Sequence, residues 1–225
     1  MRSAPKTGTM DIKALRKLVN CGEGISLEFK RKARHPEKIA RELIAFTNTD
    51  GGTLLVGVDD DGTIYGSKFP REDEYAISQF LHKHCVPKLP YRIDFVNVGG
   101  NRAVVVITVK KSRRIPHFLR MEGQKQTFVR VDDMSILASR EMVAVLKHQR
   151  ARKGVSIRFG EREKKLLNFL DDGRRVSLEQ VHAFLRISRQ QASRLLVLLV
   201  QAGLINIHPS ERGDFFSLAE ESFLL

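Results

Sequence analysis

Four carboxylates in the first sixty residues have the residue types and spacing for chemistry: Glu23, Glu28, Asp59 and Asp60. Glu23 and Glu28 stand five residues apart across a turn and a strand. If the apolar segment Leu54–Val58 lies beside Leu27–Lys30, Glu28 and one of Asp59 or Asp60 converge. Three carboxylates around a hard cation, next to a basic surface, can activate water and stabilise a leaving oxygen. Such a site implies Mg²⁺ or Mn²⁺ on Glu23, Glu28 and Asp59 or Asp60. Binding without cleavage requires no cofactor. The ordinary alternative is that acidic residues at strand ends pair with Lys30 or Arg31, or cap turns.

The elements that must position these groups are legible from periodicity. Asp11 is a candidate N-cap for a short helix with Leu15, Leu18 and Val19 on one side. Ser26–Arg31 alternates as a strand, with Leu27 and Phe29 facing a core and Ser26, Glu28 and Lys30 facing away. Glu37–Asn48 is helical, with Ile39, Leu43, Ile44 and Phe46 at stripe spacing, and Gly51-Gly52 ends it. Thr53–Val58 reads as a central strand covered on both faces. Asp61-Gly62 is a tight turn into Ile64-Tyr65-Gly66. A helix over Glu72–Cys85, a hairpin of Tyr91–Val98 with Ala103–Val109, a strand at Thr127–Val131 and a helix over Ser139–Gln149 complete an α+β domain with a mainly antiparallel sheet.

The pattern then changes. Residues 150–158 read as a basic linker, and 159–225 as helix, helix, helix and hairpin. Glu161–Leu170 is amphipathic, Ser177 and Gln180 form a capping box, and Ser188 caps a helix ending at Gly203. Leu204–His208 and Phe215–Leu218 form the hairpin. Residues 1–10 read as a disordered leader and 11–149 as the first domain.

Charge bounds the partners. The chain has 225 residues with 39 Lys and Arg against 26 Asp and Glu, a formal +13. Of that excess, +10 falls in residues 1–150. A field of this sign attracts polyanions, and nucleic acid is the expected partner. Lys30, Arg31, Lys32 and Arg34, and again Lys110, Lys111, Arg113 and Arg114, are the densest runs, each ending a strand; two such runs favour phosphate contact. With no Trp and three Tyr, stacking of bases on aromatic side chains is not strongly suggested. Two cysteines are too few for a disulfide framework, which fits a reducing, cytoplasmic setting. No apolar run approaches a membrane span, so no membrane partner is expected.

Several signals carry little. His82-Lys83-His84-Cys85 has metal-ligand residue types without a second cluster. The Asp59–Asp61 run lacks the glutamate an EF-hand needs, because Pro70 stands at that position.

Two resemblances emerge from these residues. Ser177–Leu185, the Arg186-Ile187 turn, Ser188–Ala202 and the hairpin are similar to a winged helix-turn-helix. That likeness implies a reading helix whose N-terminal residues Arg189, Gln190, Gln191, Ser193 and Arg194 face base edges, with Arg212 of the wing on phosphate. Only this likeness favours DNA as the partner, with RNA possible, and it also implies a homodimer matched to two half-sites. A protein-contact role is the alternative for this module.

Glu23-x4-Glu28-Phe29-Lys30, Phe46-Thr47-Asn48-Thr49-Asp50-Gly51-Gly52 and Gly57-Val58-Asp59-Asp60-Asp61-Gly62-x3-Gly66 together resemble the Schlafen-type AlbA domain, whose members are associated with nucleic-acid binding. The likeness continues through Pro116-His117-Phe118 and Phe128-Val129-Arg130-Val131. It implies that Glu23, Glu28 and one of Asp59 or Asp60 match the active-site carboxylates of tRNA-cleaving Schlafens. Family members often carry Gly-Ser after the Arg-Val pair, where this chain has Asp132-Asp133. No Gly-x4-Gly-Lys-Ser/Thr loop supports ATP binding. The leading expectation is a DNA-binding transcriptional regulator, and the rival a metal-dependent RNase or nuclease.

Overall fold

The computed structural model describes residues 10–151, 159–171 and 173–219. The expected leader, apart from Met10, and the core of the expected linker at 152–158 lie outside the described residues. Two compact units are present: 10–112 with His117–Ser135, and Arg113–Pro116 with the residues from Ile136 onward.

The first unit begins with α1 (Ile12–Val19), capped by Asp11, whose Oδ1 accepts the Ala14 N–H at 2.7 Å. Then come β1 (Leu27–Lys30), α2 (Pro36–Asn48), β2 (Gly51–Val56), α3 (Pro70–His84) and β3 (Cys85–Val86). β4 (Tyr91–Gly99), β5 (Arg102–Lys110), β6 (Phe118–Met121), β7 (Gln124–Gln126), β8 (Phe128–Val131) and β9 (Met134–Leu137) follow, the last leading into the second unit. The main sheet has the order β1-β2-β5-β4. β2, β5 and β4 are antiparallel, while β1 runs parallel to β2, with Leu27 opposite Thr53 and Lys30 opposite Val56. A parallel neighbour needs a crossover, and α2 supplies it. β3, β6 and β7 form a second, small antiparallel sheet in that order, unsignalled in the sequence.

The sheet is covered on both faces. Leu27, Phe29, Leu55, Val104 and Val106 pack with Leu15 and Val19 of α1. Leu54, Val56, Val105, Ile107 and Val109 pack with Ile39, Leu43 and Phe46 of α2 and Ile77 and Leu81 of α3. Alternation along β1 therefore sends Glu28 towards the α2 side, and it is buried rather than solvent-facing as its position had implied. The Gly51-Gly52 pair does not close α2, whose C-cap is Thr49; it opens β2. α3 starts two residues before Glu72, because Pro70 takes the first helical turn, where its missing N–H costs nothing.

In the second unit, α4 (Arg140–Ala151) starts after Ser139, whose Oγ accepts the Met142 N–H at 2.9 Å. Arg150 and Ala151 end this helix rather than belonging to a linker. α5 (Glu161–Leu170), β10 (Val176–Ser177), α6 (Leu178–Leu185), α7 (Arg189–Gln201), β11 (Ile205–His208) and β12 (Phe215–Leu218) follow. Leu166, Val181, Leu196, Leu199, Ile205 and Phe216 form its core, and the strands pair in the order β10-β12-β11. α4 packs along α7. Both α6 and α7 open on capping boxes, Ser177 with Gln180 and Ser188 with Gln191. Arg186 at φ 50° makes the turn between them.

Candidate functional site

The residue that organises the carboxylate region is Arg130 on β8, which sequence reasoning treated only as part of a motif. Its side chain is 1% exposed, and a buried guanidinium must place all five N–H donors. Nε donates to the Gly24 carbonyl at 3.2 Å, and Nη2 to the same carbonyl at 2.9 Å and to Glu28 Oε2 at 2.7 Å. Nη1 donates to Glu42 Oε2 at 2.7 Å and Ser135 Oγ at 3.2 Å. The guanidinium lies over the Phe46 ring, 4.8 Å from its centroid.

The surrounding motif residues each serve this arrangement. An added Cβ at Gly52 would stand 2.6 Å from the Phe46 ring, so glycine leaves the ring its place. Thr49 Oγ1 accepts the Arg130 N–H at 2.9 Å. Asn48 is buried and ties the chain to a distant segment: Oδ1 accepts from His117 N at 2.7 Å, and Nδ2 donates to Thr127 Oγ1 at 2.8 Å and the Phe128 carbonyl at 3.0 Å. The Phe-x-Asn-Thr-x-Gly-Gly signature thus fixes β8 against α2 and delivers Arg130 to the carboxylates. The signal was available in the Phe128-Val129-Arg130-Val131 run, where a single arginine interrupts apolar residues.

The four sequence-predicted carboxylates do not share one role. Glu28 Oε1 accepts from Lys30 Nζ, and Oε2 from Arg130. Glu23 is exposed as a residue while its carboxylate is partly covered, and its Oε1 accepts the Phe29 N–H at 2.7 Å, which satisfies a donor of the edge strand β1. Partial burial raises the Glu23 pKa above the usual carboxylate range against the Phe29 hydrogen bond, and the nearby charges of Glu28 and Asp60 add to the rise. Asp59 pairs with Arg31 at 3.1 Å. Asp60 is exposed. Glu42, absent from the sequence expectation, also has a raised pKa: burial outweighs its bond from Ser135 and the Arg130 charge.

A divalent cation would have to displace Lys30 and Arg130 from Glu28 and Arg31 from Asp59. Among the described residues, no group of three His, Cys, Asp or Glu side chains stands ready to hold a metal ion. As arranged, Glu28 and Asp59 are paired with cations, whereas Glu23 is held by a backbone N–H and Asp60 is exposed.

The two basic runs lie at opposite ends of the main sheet. Arg31, Lys32 and Arg34 follow β1 where Lys30 pairs with Val56, whereas Lys110 pairs with Gly51 at the other end of β2. Lys111 pairs with Asp50 at 3.1 Å, and Arg113 and Arg114 belong to the second unit. Residues that sequence reasoning did not group, Lys68 and Arg102, join the first run instead. Together they line a cleft of about 640 Å³.

On the second unit, Arg189, Gln190 and Arg194 are exposed along the N-terminal half of α7, and Arg212 is exposed in the β11–β12 turn. Arg189 pairs with Glu179 at 3.0 Å, with both side chains largely in solvent. Two expected reading residues are engaged in the protein. Gln191 is spent on its capping box with Ser188, and the Ser193 hydroxyl donates to Glu141 of α4. Leu178, Ser139 and Arg140 join Arg189 and Arg194 around a groove of about 880 Å³. No helix of the described residues is long and apolar enough to cross a membrane.

The solution structure of the N-terminal domain of a RecG-related protein from Nitrosomonas europaea aligns over 62% of this chain and 94% of its own, at 22% identity and a TM-score of 0.42. The crystal structure of the DIP2311 protein from Corynebacterium diphtheriae aligns over 89% of this chain but 35% of its own, at 19% identity and a TM-score of 0.44. The sequence model of the family described as Schlafen, AlbA_2 matches residues 23–139, a span that contains Glu23, Glu28, the Asn48 and Gly52 signature and Arg130, and the chain belongs to that family.

Proposed function

We propose that this protein is a nucleic-acid-binding regulator in which the first unit supplies sequence-independent affinity and the second, a winged helix-turn-helix, reads duplex DNA. The observation that carries the reading is the α6–turn–α7 unit followed by the β11–β12 hairpin. Its second helix leaves Arg189, Gln190 and Arg194 in solvent, and the hairpin turn presents Arg212. Arginine and glutamine are the side chains that make bidentate contacts to guanine and adenine edges, and a wing arginine contacts phosphate. Membership of a family associated with nucleic-acid interaction, and a net charge of +13, support the same partner. A homodimer would present two α7 helices to two half-sites.

The test begins with selection of a preferred duplex from a random pool, followed by binding of the Arg189→Ala/Arg194→Ala variant. That variant is expected to lose about 1–3 kcal/mol of discrimination per lost base contact while keeping weak, salt-sensitive binding. Undiminished preference in the double variant would show that α7 is not the reader. Retention of no nucleic acid at low salt would leave a protein-contact role.

Cleavage is the second reading: Glu23, Glu28 and one of Asp59 or Asp60 match by motif the carboxylates of tRNA-cleaving Schlafens, and the charges of Glu28 and Asp60 add to the rise that burial gives the Glu23 pKa. Incubation with tRNA, other RNA and single-stranded DNA in Mg²⁺ or Mn²⁺, beside a Glu23→Gln control, decides it. No cleavage, or cleavage that the control preserves, removes this reading.

A further inference from the structure

The cleft at the C-terminal end of β1 combines dense positive charge with two exposed aromatic side chains. Arg31, Lys32, Arg34 and Lys68 are all exposed around it, and Arg102 contributes from the start of β5. Asp73 is the acidic residue in its lining, and Arg31 also pairs with Asp59 at 3.1 Å, a contact a bound phosphate would compete with. Tyr65 is 41% exposed and Phe69 61% exposed. The Arg31 guanidinium sits over the Tyr65 ring, 4.5 Å from its centroid.

The backbone holds this mouth open in a defined way. Gly57, at φ +107°, approaches Gly66 so closely that a Cβ there would stand 2.9 Å from the Gly66 Cα. Its carbonyl accepts both the Tyr65 and Gly66 N–H groups at 2.9 Å, which turns Tyr65 towards the cleft. Arg102 Nη1 reaches the Gly66 carbonyl at 3.3 Å.

Phe69 stands where helix physics asks for another residue. It is the N-cap of α3, a position that favours Ser, Thr, Asp or Asn, and its side chain makes no capping bond. Its own N–H is satisfied by Ser67 Oγ at 3.1 Å. The ring contributes nothing to the helix start and little to a core, yet it lies between this cleft and an adjoining one of about 420 Å³ that shares Lys68 and Arg102.

We infer that this cleft binds single-stranded nucleic acid, with bases stacked on Phe69 and Tyr65 and phosphates held by Arg31, Lys32, Arg34, Lys68 and Arg102. Stacking requires open base faces, which a duplex hides within its own stack and a single strand offers. The cations track the charged backbone beside the rings, the arrangement in which sequence-tolerant strand binding is strongest. The inference rests on the nucleic-acid reading of the first unit and adds the strandedness of the ligand and the residues that hold it.

Fluorescence anisotropy of the full chain with a labelled 12-nucleotide oligo(dT), an oligo(U) of the same length and a mixed-sequence 12-base-pair duplex tests this at low salt. Phe69→Ala is expected to weaken one or both single strands at least about fivefold while leaving the duplex within twofold. Phe69→Tyr, which keeps a stacking face, should retain affinity. Lys68→Glu should weaken the same single strands and flatten their salt dependence. The oligo(dT) and oligo(U) arms distinguish DNA from RNA as the strand taken. A loss below fivefold for Phe69→Ala on both strands, or an equal loss on duplex, overturns the inference and leaves the general reading standing. Failure of all three probes to bind overturns both.

Discussion

Replacing Arg130 with methionine should be among the most damaging single changes in the first unit, and the reason is what it leaves behind. Methionine keeps much of the apolar stem, so the loss is not chiefly one of packing. It strands Glu28, which is buried, and Glu42, which burial already pushes towards protonation, without the guanidinium that reaches both at 2.7 Å. Breaking a buried pair by removing one partner costs about 3–5 kcal/mol, a large share of the ~5–15 kcal/mol that holds a typical domain folded. With a urea slope of about 2 kcal/mol per molar, the midpoint should fall by roughly 1.5–2.5 M. All three tyrosines, Tyr65, Tyr75 and Tyr91, lie in the first unit and the chain has no Trp, so tyrosine fluorescence follows this unit's unfolding. The loss should shrink on acidification, by about 1.4 kcal/mol per pH unit for each carboxylate that takes up a proton in the variant. Adding Glu28→Gln and Glu42→Gln to Arg130→Met should recover part of the stability. A midpoint within 0.5 M of wild type on the order of measurement error, or no recovery in the triple variant, would refute the stranded-charge account.

Two further outcomes follow from the titrating groups. Glu42 has a folded pKa above its unfolded value of 4.5, so between those values the folded state holds the extra proton and stability falls as pH rises. The wild-type stability minus that of Glu42→Gln, followed by tyrosine fluorescence in urea, should therefore decline as pH climbs from 4.5; a rising difference would mean that Arg130 depresses the Glu42 pKa instead. Cys85 is buried with its thiol pushed up to about 12, whereas Cys21 is exposed, so a thiol reagent at pH 8 should label Cys21 promptly and Cys85 only after unfolding.

Much of the first unit was legible because its signals are local. The Asp11 cap, the α2 stripe, the β4–β5 pair and the capping boxes of the second unit are written in residues a few positions apart. The misreadings arose where the deciding partner is remote. Glu28 was placed in solvent because alternation distinguishes two faces of β1 without saying that α2 covers the second. Gly51-Gly52 looked like a helix stop, yet the constraint on Gly52 is the ring of Phe46 six residues earlier, and that on Gly51 is the Val109 carbonyl across the sheet, 2.8 Å from where its Cβ would be. Arg130 stood out only as a lone arginine in an apolar run, and its role stayed hidden because its acceptors at Gly24, Glu28 and Glu42 are 88 to 106 residues away.

The same remoteness explains how the basic residues divide. Two runs of cations suggested one extended surface, but β2 separates them: the register places Lys30 at its Val56 end and Lys110 at its Gly51 end. Six residues of strand span roughly 17 Å, about twice the screening length at physiological salt, so the runs do not reinforce one field. What reinforces Arg31, Lys32 and Arg34 is the return of the chain through Lys68 and Arg102, drawn in by the close approach of Gly57 and Gly66. At that end of the sheet, charge coincides with exposed rings. Each end also has one paired cation, Arg31 with Asp59 here and Lys111 with Asp50 at the other, so the difference lies in Lys68, Arg102 and the rings. Charge density along the sequence therefore ranked the two runs equally, whereas the sheet makes the Arg31 end the stronger place for a polyanion. Exchanging Lys110 and Lys111 for glutamine should accordingly cost less nucleic-acid affinity than the same exchange at Lys32 and Lys68, compared side by side at one salt concentration. Equal losses would mean that the field of the whole unit, and not the cleft, governs binding.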